Sequence, residues 1–442
     1  MSEITMLKLV NSTDSVWKKV SETFQGMESI SFPKDPIENQ RNVSASVIYS
    51  YNHSATFEVK YQLMHSEENT FIIRGRYKNE LDRFDLELFL DNLETSNYKK
   101  GAVVSLGWKP DGFIHLILIG DVGNYIGPDI NTEYWMQDHR NILGNLPINK
   151  LCITGSHDAG MSLITWKTTW AFECNTLTQS NNILGQLKLG IRYFDIRPVL
   201  SDGIFFTGHY KDLGVWEGSN GESLDSIIYE INTFTKTHNE LIIIRLDHSL
   251  CLDVGILERY RSFKESEWLN LFYTLTGIDH LYYHNGTCNI SDVTLNTLTD
   301  NGTHSAVLLF VETEDTNVTL QEYNNNGFFY LSELNMYHKY SNTSSILKLS
   351  SDQIKKMNDY APTHYFELLW TLTQNVIQAT TCATTLSSSI KQLADEANDT
   401  IEEVLPHIRK TVYPNIFLID NVKDTVATTF VLAINWTVLS YK

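Results

Sequence analysis

The sequence predicts two folds in one chain: an N-terminal antiparallel β-sandwich and a C-terminal TIM-like (β/α)8 barrel. Three observations predict this division. The chain has 442 residues, enough for two or three domains, and 42% of them are hydrophobic, which excludes a disordered chain. Short strand-like runs separated by turns fill the first 125 residues. Beyond about residue 145, apolar runs alternate with segments of helical period.

The N-terminal domain is predicted to span residues 1–128. The segment Met1–Asn11 is predicted to be its first strand, because Glu3 and a short apolar stretch make a weak secretion signal. The later runs are rich in Val, Ile, Tyr and Phe, and several alternate polar with apolar residues, as a half-buried antiparallel sheet requires. These runs are Val43–Tyr51, Ala55–Met64, Thr70–Tyr77, Phe84–Leu90 and Phe113–Ile119.

The C-terminal domain is predicted to span residues 129–442 and to contain eight parallel strands. Eight strands with interleaved helices in about 300 residues are typical of a TIM-like barrel. The apolar runs are Leu151–Thr154, Ile191–Ile196, Ile204–Thr207, Leu241–Leu246, Ala306–Val311, Phe328–Leu331, Phe366–Trp370 and Ile416–Ile419. Segments of helical period are Asn181–Leu189, Ser223–Thr235 and Ser387–Leu405.

Charge and cysteine content argue against several classes of function. Lys plus Arg number 34 and Asp plus Glu 53, so the net charge is −19. This balance argues against nucleic-acid binding and against a polybasic attachment to anionic lipid. The five cysteines fit no zinc pattern. Free thiols are expected in a cytosolic chain, a Cys251–Cys288 bridge is possible in a secreted one, and the compartment stays open.

Polar residues mark the ends of five of the apolar runs, which are neighbours around the predicted barrel. In such a barrel the catalytic residues lie where strands end and loops begin. Polar groups at these ends need partners or solvent, and one shared cleft would supply both. The residues at these ends include His157, Asp158, Asp195, Arg197, His209, Asp247 and Asp420.

Two of these strand ends carry motifs of a known family. The segments Thr154–Gly160 and Gly190–Arg197 resemble the X-domain of phosphatidylinositol-specific phospholipases C, and most closely the PLC-like phosphodiesterases of fungi and bacteria. The resemblance covers residues 130–440 and leaves the N-terminal domain outside. Further segments that resemble this group are Tyr134–Met136, Thr207–Tyr210, Gly221–Leu224, Asn239–Ile244, Trp370–Gln374 and Tyr413–Ile416.

The resemblance implies a reaction and roles for individual residues. In this family the neighbouring 2-hydroxyl of the inositol cleaves the phosphodiester and gives a cyclic phosphate. The chemistry needs a base, an acid and a cation for the phosphoryl oxygens. By their positions in the motifs, His157 would be the base, His209 the acid and Arg197 the phosphate-binding cation.

Carboxylates would set the tautomer and charge of these groups. Asp158 matches the family's partner for the acid His209, and Asp420 is the candidate partner of His157. Asp195 would orient Arg197. Substrate-binding candidates at other strand ends are Asp247, Glu312 and Tyr330.

The metal requirement is a separate question. Eukaryotic members of the superfamily use calcium, but this chain has Arg197 where they place a carboxylate, and a fixed guanidinium can replace the cation. We therefore expect no cofactor. The alternative is a divalent ion, Ca2+ or Mg2+, held by Asp158, Asp195 and Asp247.

These inferences predict a phosphodiesterase with a phospholipid or inositol phosphodiester as substrate and with transient contact with a membrane surface. One alternative is an inactive PLC-like barrel in a lipid-binding, glycan-binding or toxin-like protein that works through its N-terminal domain. Another alternative is a phosphodiesterase acting on a different head group.

Overall fold

The computed structural model describes residues 2–64, 68–255, 258–312, 318–384 and 386–440. The chain divides into two compact units. The first contains Met1–Ile130, Ile401–Lys410 and Leu432–Lys442, and the second contains Asn131–Thr400 and Thr411–Val431. The sequence predicted a division between residues 128 and 129, which assigned 401–410 and 432–442 to the C-terminal domain. This domain division stays a prediction.

The first unit contains two β-sheets. Its strands are β1 (Glu3–Thr13), β2 (Trp17–Gln25), β3 (Ser29–Ser31), β4 (Arg41–Tyr49), β5 (Thr56–Leu63), β6 (Thr70–Lys78), β7 (Arg83–Phe89), β8 (Val103–Gly107) and β9 (Gly112–Gly120). The sheet orders are β3-β4-β1-β9 and β2-β5-β6-β7-β8. The pairs are antiparallel except that β9 runs parallel to β1, which corrects the purely antiparallel prediction.

Side chains from both sheets share one hydrophobic core. In β5, Phe57, Val59 and Tyr61 are at most 1% exposed, while Glu58 between them is exposed. This period of two is what places one face of a strand in a core. Strands β2, β3 and β8 have no counterpart among the predicted runs. In β2 every residue from Ser21 to Gln25 is exposed, so this edge strand lacks the apolar pattern that reveals the others.

The second unit contains thirteen of the described strands. They are β10 (Ile153–Ser156), β11 (Trp166–Lys167), β12 (Tyr193–Ile196), β13 (Pro198–Ser201), β14 (Ile204–Asp212), β15 (Trp216–Ser223), β16 (Leu241–Leu246), β17 (Leu250–Cys251), β18 (Ala306–Val311), β19 (Phe328–Tyr330), β20 (Met336–Tyr337), β21 (Tyr365–Leu369) and β22 (Ile416–Ile419). Eight of them form a parallel sheet of order β19-β18-β16-β12-β10-β22-β21-β20. The two edge strands, β19 and β20, are consecutive in the chain but do not pair within the described residues, so the barrel is open there.

One predicted barrel strand lies in another sheet. The run Ile204–Thr207 begins β14, which pairs antiparallel with β13 and β15 in a sheet of order β11-β15-β14-β13-β17. The reason is the turn Asp202-Gly203, where both residues have positive φ, as tight two-residue hairpin turns prefer. The chain therefore folds back on β13. The place in the barrel belongs to β20, whose two residues are too few to form an apolar run.

Helices surround the strands of the second unit. They are α1 (Trp135–Asp138), α2 (Arg140–Leu143), α3 (Glu173–Thr176), α4 (Ile183–Lys188), α5 (Leu224–Thr235), α6 (Glu265–Leu275), α7 (Leu295–Leu298), α8 (Ile346–Tyr360), α9 (Val376–Thr381), α10 (Ile390–Asn398) and α11 (Val426–Ser440), the last of which continues into the first unit. Short 3-10 segments are Thr132–Tyr134, Ile148–Lys150, Ile290–Asp292, Asp300–Gly302, Gln321–Tyr323, Leu331–Leu334, Cys382–Thr384 and Ile401–His407. Among the described residues no helix has the length and apolarity needed to cross a membrane.

The predicted helices form with shorter bounds. The segment Ser223–Thr235 becomes α5, because the Ser223 side chain caps it by accepting from the N–H of Ser226 and its apolar residues recur on one buried face. The segment Ser387–Leu405 becomes α10 followed by the 3-10 segment Ile401–His407, so the continuous helix expected there is wrong.

The cysteine pairing also differs from the expectation. Cys174 in α3 and Cys382 after α9 form a disulfide although 208 residues separate them in the chain. Cys251 is buried and Cys288 exposed, and neither is bonded to another cysteine, so the Cys251–Cys288 alternative is wrong. Spacing along the chain gave no indication of the observed pair, because folding brings together two loops that follow different barrel strands.

Candidate active site

The loop after β10 carries the first two site residues, His157 and Asp158. Strand β10 lies between β12 and β22, so its carboxyl end is in the middle of the parallel sheet. The N–H of His157 donates to the carbonyl of Ile419, and the N–H of Asp158 donates to Asp195 Oδ2. Asp158 has a φ of +47°, a left-handed conformation that Asp tolerates and that is enriched at functional sites.

A guanidinium group lies at the centre of the site. Arg197 follows β12, and its Nη1 and Nη2 lie 3.4 Å from Asp158 Oδ2 and 3.1 Å from Asp195 Oδ2. Burial opposes the charged forms, but the opposite charges dominate. They raise the pKa of Arg197 and hold the pKa of Asp158 and Asp195 below the usual range. All three groups are therefore ionised at neutral pH.

His157 lies between a carboxylate and this guanidinium. Its Nδ1 is 2.8 Å from Asp420 Oδ1, and its Nε2 is 2.7 Å from Arg197 Nη2. Because a guanidinium can only donate, this geometry assigns the proton of the neutral ring to Nδ1 and the lone pair to Nε2. Burial lowers the pKa of His157, but the Asp420 carboxylate outweighs it and raises the pKa to about 8. The neutral ring therefore predominates only above about pH 8.

His209 is the second histidine of the site. It lies on β14, outside the barrel sheet, and is opposite Ser219 of the antiparallel neighbour β15. Its Nδ1 is 2.6 Å from Asp158 Oδ2, the same oxygen that contacts Arg197. One buried carboxylate oxygen thus fixes the relative positions of His209 and Arg197.

Solvent access separates these groups into two sets. The side chains of His157, Arg197 and His209 are 18%, 20% and 27% exposed. Asp158, Asp195 and Asp420 are at most 3% exposed. A molecule that enters from solvent therefore contacts two imidazoles and a guanidinium. The buried carboxylates hydrogen-bond to these groups and fix their orientation.

Asp247 follows β16 and belongs to a neighbouring charge cluster. It pairs with Arg245 through Nη2, and Arg245 Nη1 lies 3.2 Å from Glu367 Oε2 of β21. Burial raises the pKa of Asp247 and raises the pKa of Glu367 to about 7, although Arg245 opposes both shifts. Arg245 and Glu367 were absent from the predicted site. Charged residues inside the otherwise apolar runs Leu241–Leu246 and Phe366–Trp370 were the signal that could have revealed them.

The two remaining substrate-binding candidates follow or end neighbouring strands. Glu312 comes directly after β18, and its N–H donates to the carbonyl of Leu246. Tyr330 ends β19, and its hydroxyl accepts from the N–H of Leu320 at 3.1 Å. This contact fastens a loop to the sheet edge. A role in substrate binding stays a prediction for both residues.

The alternative metal site can be tested against this geometry. Asp158 and Asp195 each contact Arg197, and Asp247 contacts Arg245, so guanidinium groups lie where a cation would be held. Within the described residues, no group of three His, Cys, Asp or Glu side chains is arranged to hold a metal ion. The Oδ1 atoms of Asp158, Asp195 and Asp247 are nevertheless buried without a hydrogen-bond partner, so the Ca2+ or Mg2+ alternative stays a prediction, and no step below depends on it.

Two buried polar residues hold the site loops in place and were missed from the sequence. Thr178 Oγ1 donates to the carbonyl of Asp158, and Gln179 Nε2 donates to the carbonyl of His157. Gln179 Oε1 also accepts from the N–H of Val422 in the loop after β22. One segment thereby connects the loops that carry His157 and Asp420. Residue type gave no signal, because uncharged polar side chains such as Thr and Gln serve many structural roles.

Solved structures of two bacterial enzymes are similar to this chain. No protein-family model matches the sequence, and no curated protein matches it. Among solved structures, a phosphatidylinositol-specific phospholipase C from Listeria monocytogenes is 19% identical, with 69% of this chain and 99% of that chain covered and a TM-score of 0.47. The corresponding enzyme from S. aureus, studied for its membrane binding, is 16% identical, with coverages of 70% and 97% and a TM-score of 0.48.

Both similar structures carry the name phosphatidylinositol-specific phospholipase C, the family whose X-domain the motifs at the strand ends resemble. A closer relation to the fungal and bacterial PLC-like phosphodiesterases stays a prediction.

Proposed function

We propose that this chain is a phosphodiesterase of the phosphatidylinositol-specific phospholipase C type that uses general acid–base catalysis. One observation carries the proposal: His157, Arg197 and His209 are the solvent-accessible members of a site whose carboxylates are buried. Two imidazoles and a cation are the groups that an intramolecular attack on a phosphodiester needs.

His157 is the proposed base. Asp420 holds the proton of the neutral ring on Nδ1, so the Nε2 lone pair is available for the proton of an attacking hydroxyl. In the structure Nε2 accepts from Arg197. A bound phosphate offers Arg197 stronger acceptors, because anionic oxygens make shorter and stronger bonds with guanidinium, and this releases Nε2. Phosphate binding and activation of the base are thereby coupled.

His209 is the proposed acid for the leaving alcohol. Asp158 accepts from Nδ1, which leaves Nε2 as the atom that can carry the transferred proton. Asp158 stays ionised because Arg197 and His209 lower its pKa. It can therefore stabilise the imidazolium form of His209 without taking its proton.

A phospholipid or inositol phosphodiester is the proposed substrate class. The names of the similar solved structures and the family motifs both support inositol as the head group. A phosphodiesterase that acts on a different head group would turn over neither of the two inositol substrates used in the test below. No observation favours the alternative of an inactive barrel over the catalytic proposal.

The test is turnover of phosphatidylinositol and of a water-soluble inositol phosphodiester by the native chain and by His157→Ala. Loss of a positioned base should lower kcat/KM by about 10²–10⁴-fold for both substrates. His304→Ala is the matched control, because this side chain is 64% exposed, and it should keep full activity. Turnover of no phosphodiester, or unchanged turnover by His157→Ala, would refute the mechanism.

A further inference from the structure

The first unit contains a groove that the proposed function does not use. It lies between the turn that follows β1 and the last turns of α11, and its volume is about 270 Å³. All the residues that line it belong to the first unit. Asp14, Asn39, Gln40 and Trp436 line it together with hydroxyl side chains, and it is called the Trp436 groove. Its volume is just below the roughly 300–1,000 Å³ of typical ligand pockets, so it fits one small ring.

Buried hydroxyls of the lining connect the strand and the helix that form the groove. Ser12 Oγ of β1 lies 3.0 Å from Thr437 Oγ1 of α11 and donates to the carbonyl of Ala433 at 3.2 Å. Ser12 and Thr437 are 2% and 1% exposed. These directional contacts between buried polar groups hold the strand and the helix in one register, so the groove is part of the fold.

The turn after β1 is held by its own hydrogen bonds. Asn11 Oδ1 accepts from the N–H and the hydroxyl of Thr13, and Asn11 Nδ2 donates to the carbonyls of Ser15 and Ile37. Asn11 is fully buried and Thr13 is 3% exposed. The exposed Asp14 therefore lies on a rigid support, and a ligand that binds there pays little entropy for ordering the turn.

Two residues at the edge of the groove are prepared for a ligand. Ser15 Oγ donates to Asp14 Oδ1 at 3.0 Å and orients the carboxylate. Within the described part of the chain, Asp14 takes part in no ion pair, so its charge is not neutralised. Gln40 has a φ of +56°, a left-handed conformation that residues with a Cβ rarely adopt and that is enriched at binding sites.

The chemistry of the lining excludes several classes of ligand. Asp14 is the charged residue of the described lining, Asn39 and Gln40 are amides, four side chains are hydroxyls, and Trp436 is aromatic. An anion would face the Asp14 carboxylate with no Lys or Arg in this lining to bind it. A hydrocarbon would dehydrate the carboxylate and the amides without replacing their hydrogen bonds with water.

A neutral sugar ring satisfies all of these groups. Its hydroxyls both donate and accept, so they can donate to the Asp14 carboxylate and pair with the amides of Asn39 and Gln40. Its C–H face is apolar and can pack on the indole of Trp436, a rigid side chain that gives a large contact area at low entropy cost.

We propose that the Trp436 groove binds one neutral sugar residue of a glycan, which makes the first unit a carbohydrate-binding module. This activity goes beyond the proposed phosphodiesterase and does not depend on it. The sugar is recognised by hydrogen bonds to Asp14, Asn39 and Gln40 and by packing on Trp436.

The test is saturation-transfer NMR of the full chain with the methyl glycosides of glucose, galactose, mannose and N-acetylglucosamine. At least one of them should bind with a dissociation constant on the order of millimolar, as the few atoms of one ring allow. Trp436→Ala should weaken this binding at least about tenfold, since it removes the packing surface. Asp14→Asn should weaken it about tenfold, because a charged acceptor makes the stronger hydrogen bonds.

Matched controls replace the same residue types in the second unit. Trp170→Ala, where the indole is 70% exposed, and Asp300→Asn, where the carboxylate is 71% exposed, should bind the sugar as the native chain does. Circular dichroism and the urea midpoint show whether each variant is folded. If Trp436→Ala is unfolded, the exposed substitution Asp14→Asn decides the question.

Three results would overturn the proposal. The first is that none of the four glycosides binds the native chain. The second is unchanged sugar binding by a folded Trp436→Ala or by Asp14→Asn. The third is binding of tetramethylammonium that Asp14→Asn abolishes while no glycoside binds, since the groove would then be a site for organic cations.

Turnover separates this inference from the proposed function. Asp14→Asn should cleave the water-soluble inositol phosphodiester at the native rate. If no phosphodiester is cleaved but sugar binding follows the expected pattern, the catalytic proposal fails and the sugar site stands. If cleavage depends on His157 but no glycoside binds, the sugar site fails alone.

Discussion

Two arginines at opposite ends of β12 show how one residue type takes on different tasks. Arg192 precedes the strand and is fully buried. It donates to Glu240 and to the carbonyls of Leu187, Ile191, Thr132 and Glu133. Every donor position is occupied by the protein, so Arg192 has no capacity left for a ligand.

Arg197 follows the same strand and is 20% exposed. It is held by two carboxylates and by His157, and its Nε has no partner in the structure. The arginine at the amino end of β12 therefore stabilises the fold, and the arginine at the carboxyl end is partly exposed to solvent. The difference comes from the partners and not from the sequence of the strand.

The largest expected effect comes from replacing each arginine by lysine. Lysine keeps the charge but loses the planar fork, so Arg197→Lys should lower kcat/KM by about 10²–10³-fold with little change in stability. Arg192→Lys leaves buried carbonyls without donors and should lower the free energy of unfolding by about 2–5 kcal/mol. Phosphodiester kinetics and urea unfolding measure the two effects. If Arg197→Lys and Arg192→Lys lost activity and stability to the same extent, the two arginines would not have different roles.

The carboxylates at the two ends should differ in the same way: Asp420, the partner of His157, should matter for activity, and Glu240, the partner of Arg192, for stability. Asp420→Asn removes the charge that raises the pKa of His157, so kcat/KM should fall about 10–10²-fold and the acidic limb of its pH profile should move below pH 8. Glu240→Gln changes the carboxylate that pairs with Arg192 at the amino end of β12. It should lower the free energy of unfolding and leave the acidic limb of the pH profile unchanged. A pH profile that is the same in Asp420→Asn and in the native chain would contradict the pairing.

On a substrate whose leaving group needs no general acid, native activity should rise with pH by about tenfold per unit and level off above about pH 8, because only unprotonated His157 can act as a base. The contribution of His157 to stability should change in the opposite sense. Its folded-state pKa lies above the usual value near 6.5, so this contribution is complete below about pH 6.5 and is lost as pH rises to about 8. Activity that falls over this range would refute the base assignment.

The smallest expected effect is that of a chelator. Arg197 takes the place of a cation between Asp158 and Asp195, so EDTA should change kcat/KM by less than about twofold. Activity that EDTA abolishes and Ca2+ restores would favour the metal alternative. Added Ca2+ is the control, and it should give no activation of the native chain.

Much of the fold could be predicted because burial leaves a pattern along the chain. Strands β16, β18 and β22 have the predicted bounds, since β18 and β22 are continuous apolar runs and Arg245 is the one charged residue in β16. The exposed edge strand β2 and the two-residue β20 carry too few apolar residues to form such a run. The hairpin at Asp202-Gly203 had a local signal, but the strand pattern of Ile204–Thr207 suits either sheet.

The candidate site was predicted as a set of residues but not as a geometry. Motif positions named His157, Arg197 and His209, and the structure brings all three around Asp158 and Asp195. Arg245, Glu367, Thr178 and Gln179 were missed. Their importance depends on contacts with residues far away in the chain, such as the contact of Gln179 with Val422.

The sequence by itself determined the sheet-forming runs, the acidic balance and the residue types that a phosphodiesterase needs at successive strand ends. Only the tertiary structure decided that His209 comes from a strand outside the barrel sheet, that the barrel is open, and that Cys174 bonds to Cys382. It also decided that Arg192 is buried while Arg197 is partly exposed to solvent. The physical reason is that periodicity and residue type are local, whereas burial, pairing and the pKa of a group depend on the neighbours that folding supplies.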